Sequence, residues 1–321
     1  MRHGFVKVAA ATPDIRVADV AYNTQKICGL IDETVKEGAK VVAFPELCVT
    51  GYTCGDLFTQ EVLLKEARAA LHKIARHTKG KDALIFVGVP VAVEGKLYNV
   101  AAALNQGKIL GLTTKSFLPN YGEFYEMRQF TEGPSAAREI LFDGEKMPFG
   151  PQLLFVADSM ESLVVSAEIC EDAWSSVPPS IEAAREGAVI IANCSASDET
   201  VGKSTYRRNL IEGQSARLIC GYLYANAGEG ESTTDLVFGG QNLIAENGTM
   251  LAEAKRFQNT VIYGEIDVQR LADERRRLST YPASDDADCQ IVSFDVEVEE
   301  TSLTRKFAPY PFVPSVKEER D

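Results

Sequence analysis

One glutamate, one lysine and one cysteine each stand just past a run of strand-forming residues, and as a set they could transfer an acyl group. Glu46 follows Val41-Val42-Ala43-Phe44-Pro45, Lys115 follows the segment Ile109 to Thr114, and Cys170 follows Leu163 to Ile169. In α/β sheets reactive side chains gather beyond the carboxyl ends of strands, where the loops converge over a crevice. A thiol is a poor nucleophile until it loses its proton. Only three histidines are available: His3 at the terminus, and His72 and His77 in the charged segment Leu64 to Lys79, which has the pattern of a solvated amphipathic helix. A Ser-His-Asp or Cys-His arrangement therefore has little support, and the proton must go to a carboxylate. Glu46 can take it if partial burial raises its pKa. Lys115 supplies a fixed positive charge that lowers the thiol pKa and stabilises the oxyanion formed when a carbonyl carbon is attacked, and the Glu171 N–H just after the nucleophile is the second oxyanion donor. Taken singly, a strand-end charge is usually solvated and a strand-end cysteine is usually core. Three such residues in equivalent places favour a site.

The elements that must position them alternate. Apolar residues recur at helical spacing from Ala18 to Lys40 and lead into the short strand Val41 to Phe44; the helix of 61–78 leads into Ala83 to Val89, and the segment 180–187 into Ala188 to Asn193. Hairpins intervene: Leu97 to Leu104 with Ile109 to Thr114, and Gln241 to Ala245 with Met250 to Ala254 around Asn247-Gly248. Leu163 to Ile169 and Tyr222 to Asn226 form strands around a long helix, 202–221. An α/β fold with mixed strand pairing follows, each strand covered by helices on one face and by a second sheet on the other. After the strand Val261 to Ile266 and the charged helix Val268 to Leu278, the pattern weakens. Residues 276–321, with Pro-rich Ala308 to Pro314 and charged Lys317 to Asp321, are expected to be a C-terminal extension or linker beyond a domain of residues 1–275.

Composition removes other functions. Forty-six acidic against 33 basic residues leave a net charge of −13, which argues against a nucleic-acid partner. The longest apolar runs, Ser162 to Cys170 and Ala188 to Ala196, fall short of the roughly 20 residues that cross a bilayer. Met1 to Ala11 lacks the features of a signal peptide, so the expected location is cytoplasmic, without membrane attachment. Seven scattered cysteines without C-x-x-C spacing disfavour structural disulfides and a metal site. Gly202-Lys203-Ser204 mimics the end of a phosphate loop, but Ser197 stands where that loop needs its first glycine.

The three blocks Phe44-Pro45-Glu46-Leu47, Lys115-Ser116-Phe117-Leu118-Pro119-Asn120-Tyr121-Gly122-Glu123-Phe124 and Glu168-Ile169-Cys170-Glu171-Asp172 resemble, in order and spacing, the signature blocks of the nitrilase or carbon–nitrogen hydrolase superfamily. The resemblance covers residues 5–275. It implies a nitrilase-like four-layer α/β/β/α sandwich, with Glu46 as general base, Lys115 as oxyanion-stabilising amine and Cys170 as nucleophile. It also implies an auxiliary glutamate, matched by Glu123, that holds the lysine and substrate in place.

Within the superfamily, Leu47 to Tyr52 with Gly55-Asp56-Leu57-Phe58, Asn193 to Ser197 followed by Val201-Gly202-Lys203 and Tyr206-Arg207-Arg208, and Gly228 to Phe238 resemble the glutaminase domains of glutamine-dependent NAD(+) synthetases. Gly239 departs from that pattern, which commonly has Asp there. The likeness implies L-glutamine as substrate, contacted by Tyr121, Ser197 and Lys203, with Tyr52 and Glu171 lining the pocket. It implies no cofactor for glutamine hydrolysis and a homo-oligomer. It further implies a partner in cis, an ATP-pyrophosphatase-type synthetase domain using ATP and Mg to amidate nicotinic acid adenine dinucleotide. No Ser-Gly-Gly-x-Asp-Ser run for that step occurs in these 321 residues, so the expectation is a glutaminase half whose ammonia is used elsewhere. The alternatives are a free-standing carbon–nitrogen hydrolase acting on another small amide, nitrile or carbamoyl compound, and a non-enzymatic scaffold.

Overall fold

The computed structural model describes residues 1–282, 289–307, 312–314 and 320. Two sheets lie face to face. The first runs in the order β14 (Val261–Asp267), β1 (Phe5–Ala11), β2 (Val41–Ala43), β3 (Leu84–Val93), β4 (Lys96–Asn105), β5 (Lys108–Thr114), β7 (Glu145–Gly150), β6 (Arg138–Phe142). The second runs β13 (Thr249–Glu253), β12 (Leu243–Glu246), β11 (Gly221–Asn226), β10 (Ile190–Ser195), β9 (Met160–Ile169), β8 (Leu153–Ala157), β15 (Gln290–Phe294). The central strands β1, β2 and β3 are parallel, as are β9, β10 and β11, and hairpins extend both sheets antiparallel.

Strand periodicity builds the layers. On β3, Leu84 and Phe86 turn inward to meet Phe155, Leu163 and Val165 of the other sheet. Ile85, Val87 and Val89 turn outward to meet Ile27 and Ile31 of α1 (Val20–Lys36) and Leu71 and Ile74 of α2 (Glu61–His77). On the far side, α3 (Pro179–Arg185) and α4 (Lys203–Leu218) cover Ile191, Tyr222 and Tyr224. Because both faces of each sheet are covered, the central strands are continuous apolar runs. The result is the four-layer sandwich expected from the sequence.

Beyond residue 275 the chain continues to pack on the sandwich. The helix α5 (Val268–Arg277) is followed by β15, which pairs in parallel with β8. Residues 295–307 then return along the first sheet. The Thr301 hydroxyl donates to the Phe5 carbonyl at 2.6 Å, Arg305 makes paired 2.8 Å bonds to Glu246, and the Phe307 ring packs edge-on against Phe5. As far as Phe307 the extension belongs to the sandwich. Its strand, Gln290–Phe294, is a short, partly exposed edge strand rather than an unbroken buried run, so periodicity gave no sign of it. The Pro-rich and charged end lies mostly outside the described residues. Among those residues no helix is long and apolar enough to cross a membrane.

Candidate active site

Glu46, Lys115 and Cys170 meet at one end of the two sheets, each just past its strand, on β2, β5 and β9 respectively. All three are buried, Glu46 and Lys115 almost completely. The turn after β2 is tight: Leu47 takes φ +51°, and a Cβ on Gly88 would lie 2.3 Å from the Leu47 nitrogen and the Pro45 oxygen, so only glycine lets β3 pass beneath. Cys170 takes φ +44°, a costly left-handed conformation that turns the strand sharply into a one-turn 3₁₀ helix, Cys170–Trp174. The Glu171 N–H lies in its first turn, where backbone donors have no partner within the helix.

Glu46 is held from three sides. Its Oε1 accepts from Lys115 Nζ and from Asn99 Nδ2, both at 2.6 Å, and its Oε2 accepts from the Ala196 N–H at 2.9 Å. Lys115 Nζ also donates to Glu126 at 2.6 and 2.8 Å, and the Tyr52 hydroxyl donates to Glu126 at 2.8 Å. Burial pulls the lysine toward neutrality, but the charges of Glu126 and Glu46 outweigh it and hold the ammonium well above its ordinary value. Burial, together with the charge on Glu46, raises Glu126 in spite of the lysine. The Cys170 thiol is pushed far up by burial and then by Glu46, with Lys115 pulling the other way. The resting thiol is therefore protonated beside a carboxylate–ammonium–carboxylate row.

The glutamate beside the lysine is Glu126, three residues beyond the expected Glu123. It enters from the short 3₁₀ turn Glu126–Arg128. Glu123 makes no bond to Lys115 and instead lines a cavity of about 170 Å³ with Tyr52, Phe124, Glu126 and Asp235. The Cys170 thiol is not on the wall of that cavity. Spacing from the lysine could not choose between two glutamates in one loop. The clue available was that Glu126 lies between Phe124 and Phe130, both of them buried.

The remaining expected residues ring the same region. The Tyr121 hydroxyl donates to Glu171 at 2.7 Å in an exposed setting. Lys203 pairs with Asp198 and lies over the rings of Phe124 and Trp174, 5.4 and 5.6 Å from their centres. Ser197 is buried: its N–H donates to Asn226 at 2.8 Å and its hydroxyl accepts from the fully buried Arg207 at 3.1 Å. Gly239 packs on Glu199, the ion-pair partner of Arg207, and a Cβ there would sit 2.6 Å from the Glu199 carboxylate. An aspartate at that position would collide with a like charge. His72 and His77 lie away from the site, paired with Asp143 and Asp32.

Asn99 and Asp172 went unread as site residues. Asp172 Oδ1 accepts from the Ser116 and Phe117 N–H groups at 3.0 and 2.9 Å, and its Oδ2 accepts from the Ile169 N–H at 2.9 Å. One carboxyl thus ties the chain after the lysine to the residue before the cysteine. Burial pushes it up to about 8, against the backbone donors. Among the described residues no group of three or more His, Cys, Asp or Glu side chains could hold a metal ion.

Known proteins share this arrangement of elements. The carbon-nitrogen hydrolase family model matches residues 7–276. A glutamine-dependent NAD(+) synthetase of Mycobacterium tuberculosis is 36% identical over 98% of this chain and 48% of its own length, so the chain spans about half the length of such curated relatives. The crystal structure of a glutamine-dependent NAD(+) synthetase from Cytophaga hutchinsonii superposes with a TM-score of 0.73 at 30% identity, covering 82% of this chain and 43% of that one. A nitrilase-superfamily amidase of Nesterenkonia, 19% identical with a TM-score of 0.65, covers 87% of this chain and 99% of its own, and shares the fold. With a family match over most of its length, and with the strand-end glutamate, lysine and cysteine gathered at one buried point, the chain belongs to the carbon-nitrogen hydrolase family.

Proposed function

We propose that this chain hydrolyses the side-chain amide of L-glutamine through a thioester on Cys170. The observation that carries the reading is the buried row Glu46–Lys115–Glu126 beside a thiol at a strained strand end. As the sulfur attacks the amide carbon, Glu46 takes the thiol proton, and its fixed hydrogen bonds keep the carboxylate aimed without reorganisation. The oxyanion is met by Lys115 Nζ and the Glu171 N–H. Glu46 returns the proton to the departing ammonia. It then takes one from the water that attacks the thioester and passes it to the departing sulfur, releasing glutamate and restoring the thiol.

Lys115 serves as an oxyanion donor because Glu126 and Glu46 keep it charged in a dry site. The glutamine backbone would meet Tyr121, Ser197 and Lys203, with Tyr52 and Glu171 lining the pocket, and Glu123 would line the approach. No cofactor enters these steps. The NAD(+) synthetase relatives support glutamine as the amide, and the half of their length that this chain does not span is where an ATP- and Mg-dependent domain in cis would use the ammonia to amidate nicotinic acid adenine dinucleotide. A cytoplasmic homo-oligomer is the setting we infer.

Release of glutamate and ammonia from glutamine tests the reading. Cys170→Ala should abolish it, and Lys115→Ala should lose about 10²–10³ in turnover. Near-parental activity in Cys170→Ala would overturn the assignment.

A further inference from the structure

The steps above leave unused a pair of hydroxyl groups packed behind the nucleophile. Strand register pairs Cys194 of β10 with Ile169 of β9, so Ser195 and Cys170 are the next residues of the two neighbouring strands at the same end of the sheet. Asn193 and Ser195 alternate onto one face, as do Tyr222 and Tyr224 on the neighbouring β11. Asn193 Nδ2 donates to the Tyr222 hydroxyl at 3.2 Å, and its Oδ1 accepts the Cys170 N–H at 3.2 Å, fixing the backbone of the nucleophile. The Ser195 hydroxyl donates to the Tyr224 hydroxyl at 2.6 Å.

Ser195 is fully buried and is tied to the base as well: its carbonyl accepts the Glu46 N–H at 3.3 Å, and the next residue's N–H donates to Glu46 Oε2. Its hydroxyl, whose hydrogen bond in this structure goes to Tyr224, joins Lys115 in opposing the upward push of burial and of Glu46 on the Cys170 thiol. A neutral thiol is a weak hydrogen-bond partner, whereas a thiolate is a charged acceptor. Each hydroxyl can donate or accept, so the Ser195–Tyr224 pair has two orientations.

We propose that Ser195 is a catalytic residue: its hydroxyl donates to the Cys170 sulfur when the thiol gives its proton to Glu46, while Tyr224 turns to donate to Ser195 and acts as its positioning residue. No proton leaves either hydroxyl; only the direction of their hydrogen bonds reverses. Ser197, whose oxygen already accepts from Arg207, keeps a proton to offer Tyr224 in that orientation. The same donor stabilises the thiolate when water breaks the thioester. The inference rests on Cys170 being the nucleophile.

The test is the pH dependence of Cys170 alkylation by iodoacetamide, read by mass spectrometry on the Cys170 peptide in the full chain. Ser195→Ala should move the rise in labelling to higher pH by about one unit and lower kcat/KM for glutamine about tenfold, with KM little changed. Ser195→Thr should restore most of both, and Tyr224→Phe should give a smaller shift in the same direction. A Ser195→Ala profile that superimposes on the parent's overturns the proposal; if that variant does not fold, an unshifted Tyr224→Phe profile does so. Alkylation needs no turnover, so it reports on the contact even if Cys170→Ala retains glutamine hydrolysis, the result that would instead defeat the nucleophile reading.

Discussion

At the scale of single residues, the site has two carboxylates competing for one ammonium. Burial makes a second negative charge costly, and the Tyr52 hydroxyl and Lys115 together hold Glu126 in place. Glu126→Gln should therefore loosen Lys115 and lower kcat/KM for glutamine by about 10–100-fold, whereas Glu123→Gln should stay within a few-fold of the parent. Steady-state kinetics of the two variants check this, and equal losses would return Glu123 to the lysine. Cys170 and Glu46 were legible because chemistry demands a base when no histidine is at hand. Asn99 was not, because an asparagine within a strand is read only as one more residue of a hairpin until the strand brings it beside Glu46.

At the scale of elements, the site depends on three strand ends keeping their mutual register, and Asp172 links two of them. In Asp172→Asn one amide edge would turn an NH₂ toward the Ile169 N–H, replacing an acceptor with a donor. A loss of about 1–3 kcal/mol in unfolding free energy is expected, together with reduced activity. The pH dependence has a definite sign. The Asp172 carboxyl titrates at about 8 when folded and at its ordinary value of 3.8 when unfolded, so between these values the folded chain holds a proton that the unfolded chain lacks. Its contribution to stability is thus present in full at low pH and fades as pH rises toward 8. Urea unfolding should show the deficit of Asp172→Asn to be larger at about pH 5 than at about pH 8; a deficit that grows with pH would contradict it. Helix and strand periodicity revealed the parallel centre of each sheet, since those strands carry unbroken apolar runs. It did not reveal β6 and β7, whose residues Arg138 to Gly150 mix charge, proline and glycine, nor β8, an apolar run of only five residues with no helix leading into it.

At the scale of the whole molecule, residues 289–307 close the sandwich. Arg305 neutralises Glu246, a buried carboxylate that also accepts the Asp267 N–H at 2.7 Å, so Arg305→Ala leaves a buried charge short of its partner. We expect a loss of about 2–3 kcal/mol by chemical denaturation; an unchanged midpoint would show that the return segment contributes nothing there. Long-range pairing of this kind has no local signature, which is why the sequence suggested a linker. The assembled fold brings the buried Cys170 thiol together with Glu46 and Lys115, and the covalent intermediate that their proposed roles imply is directly observable. Acid quenching during glutamine turnover, followed by mass spectrometry of the peptides, should find a γ-glutamyl group on Cys170, accumulating further when thioester hydrolysis is slowed. Glutamine turnover with no such adduct on Cys170, or with the adduct on another residue, would contradict the thioester mechanism.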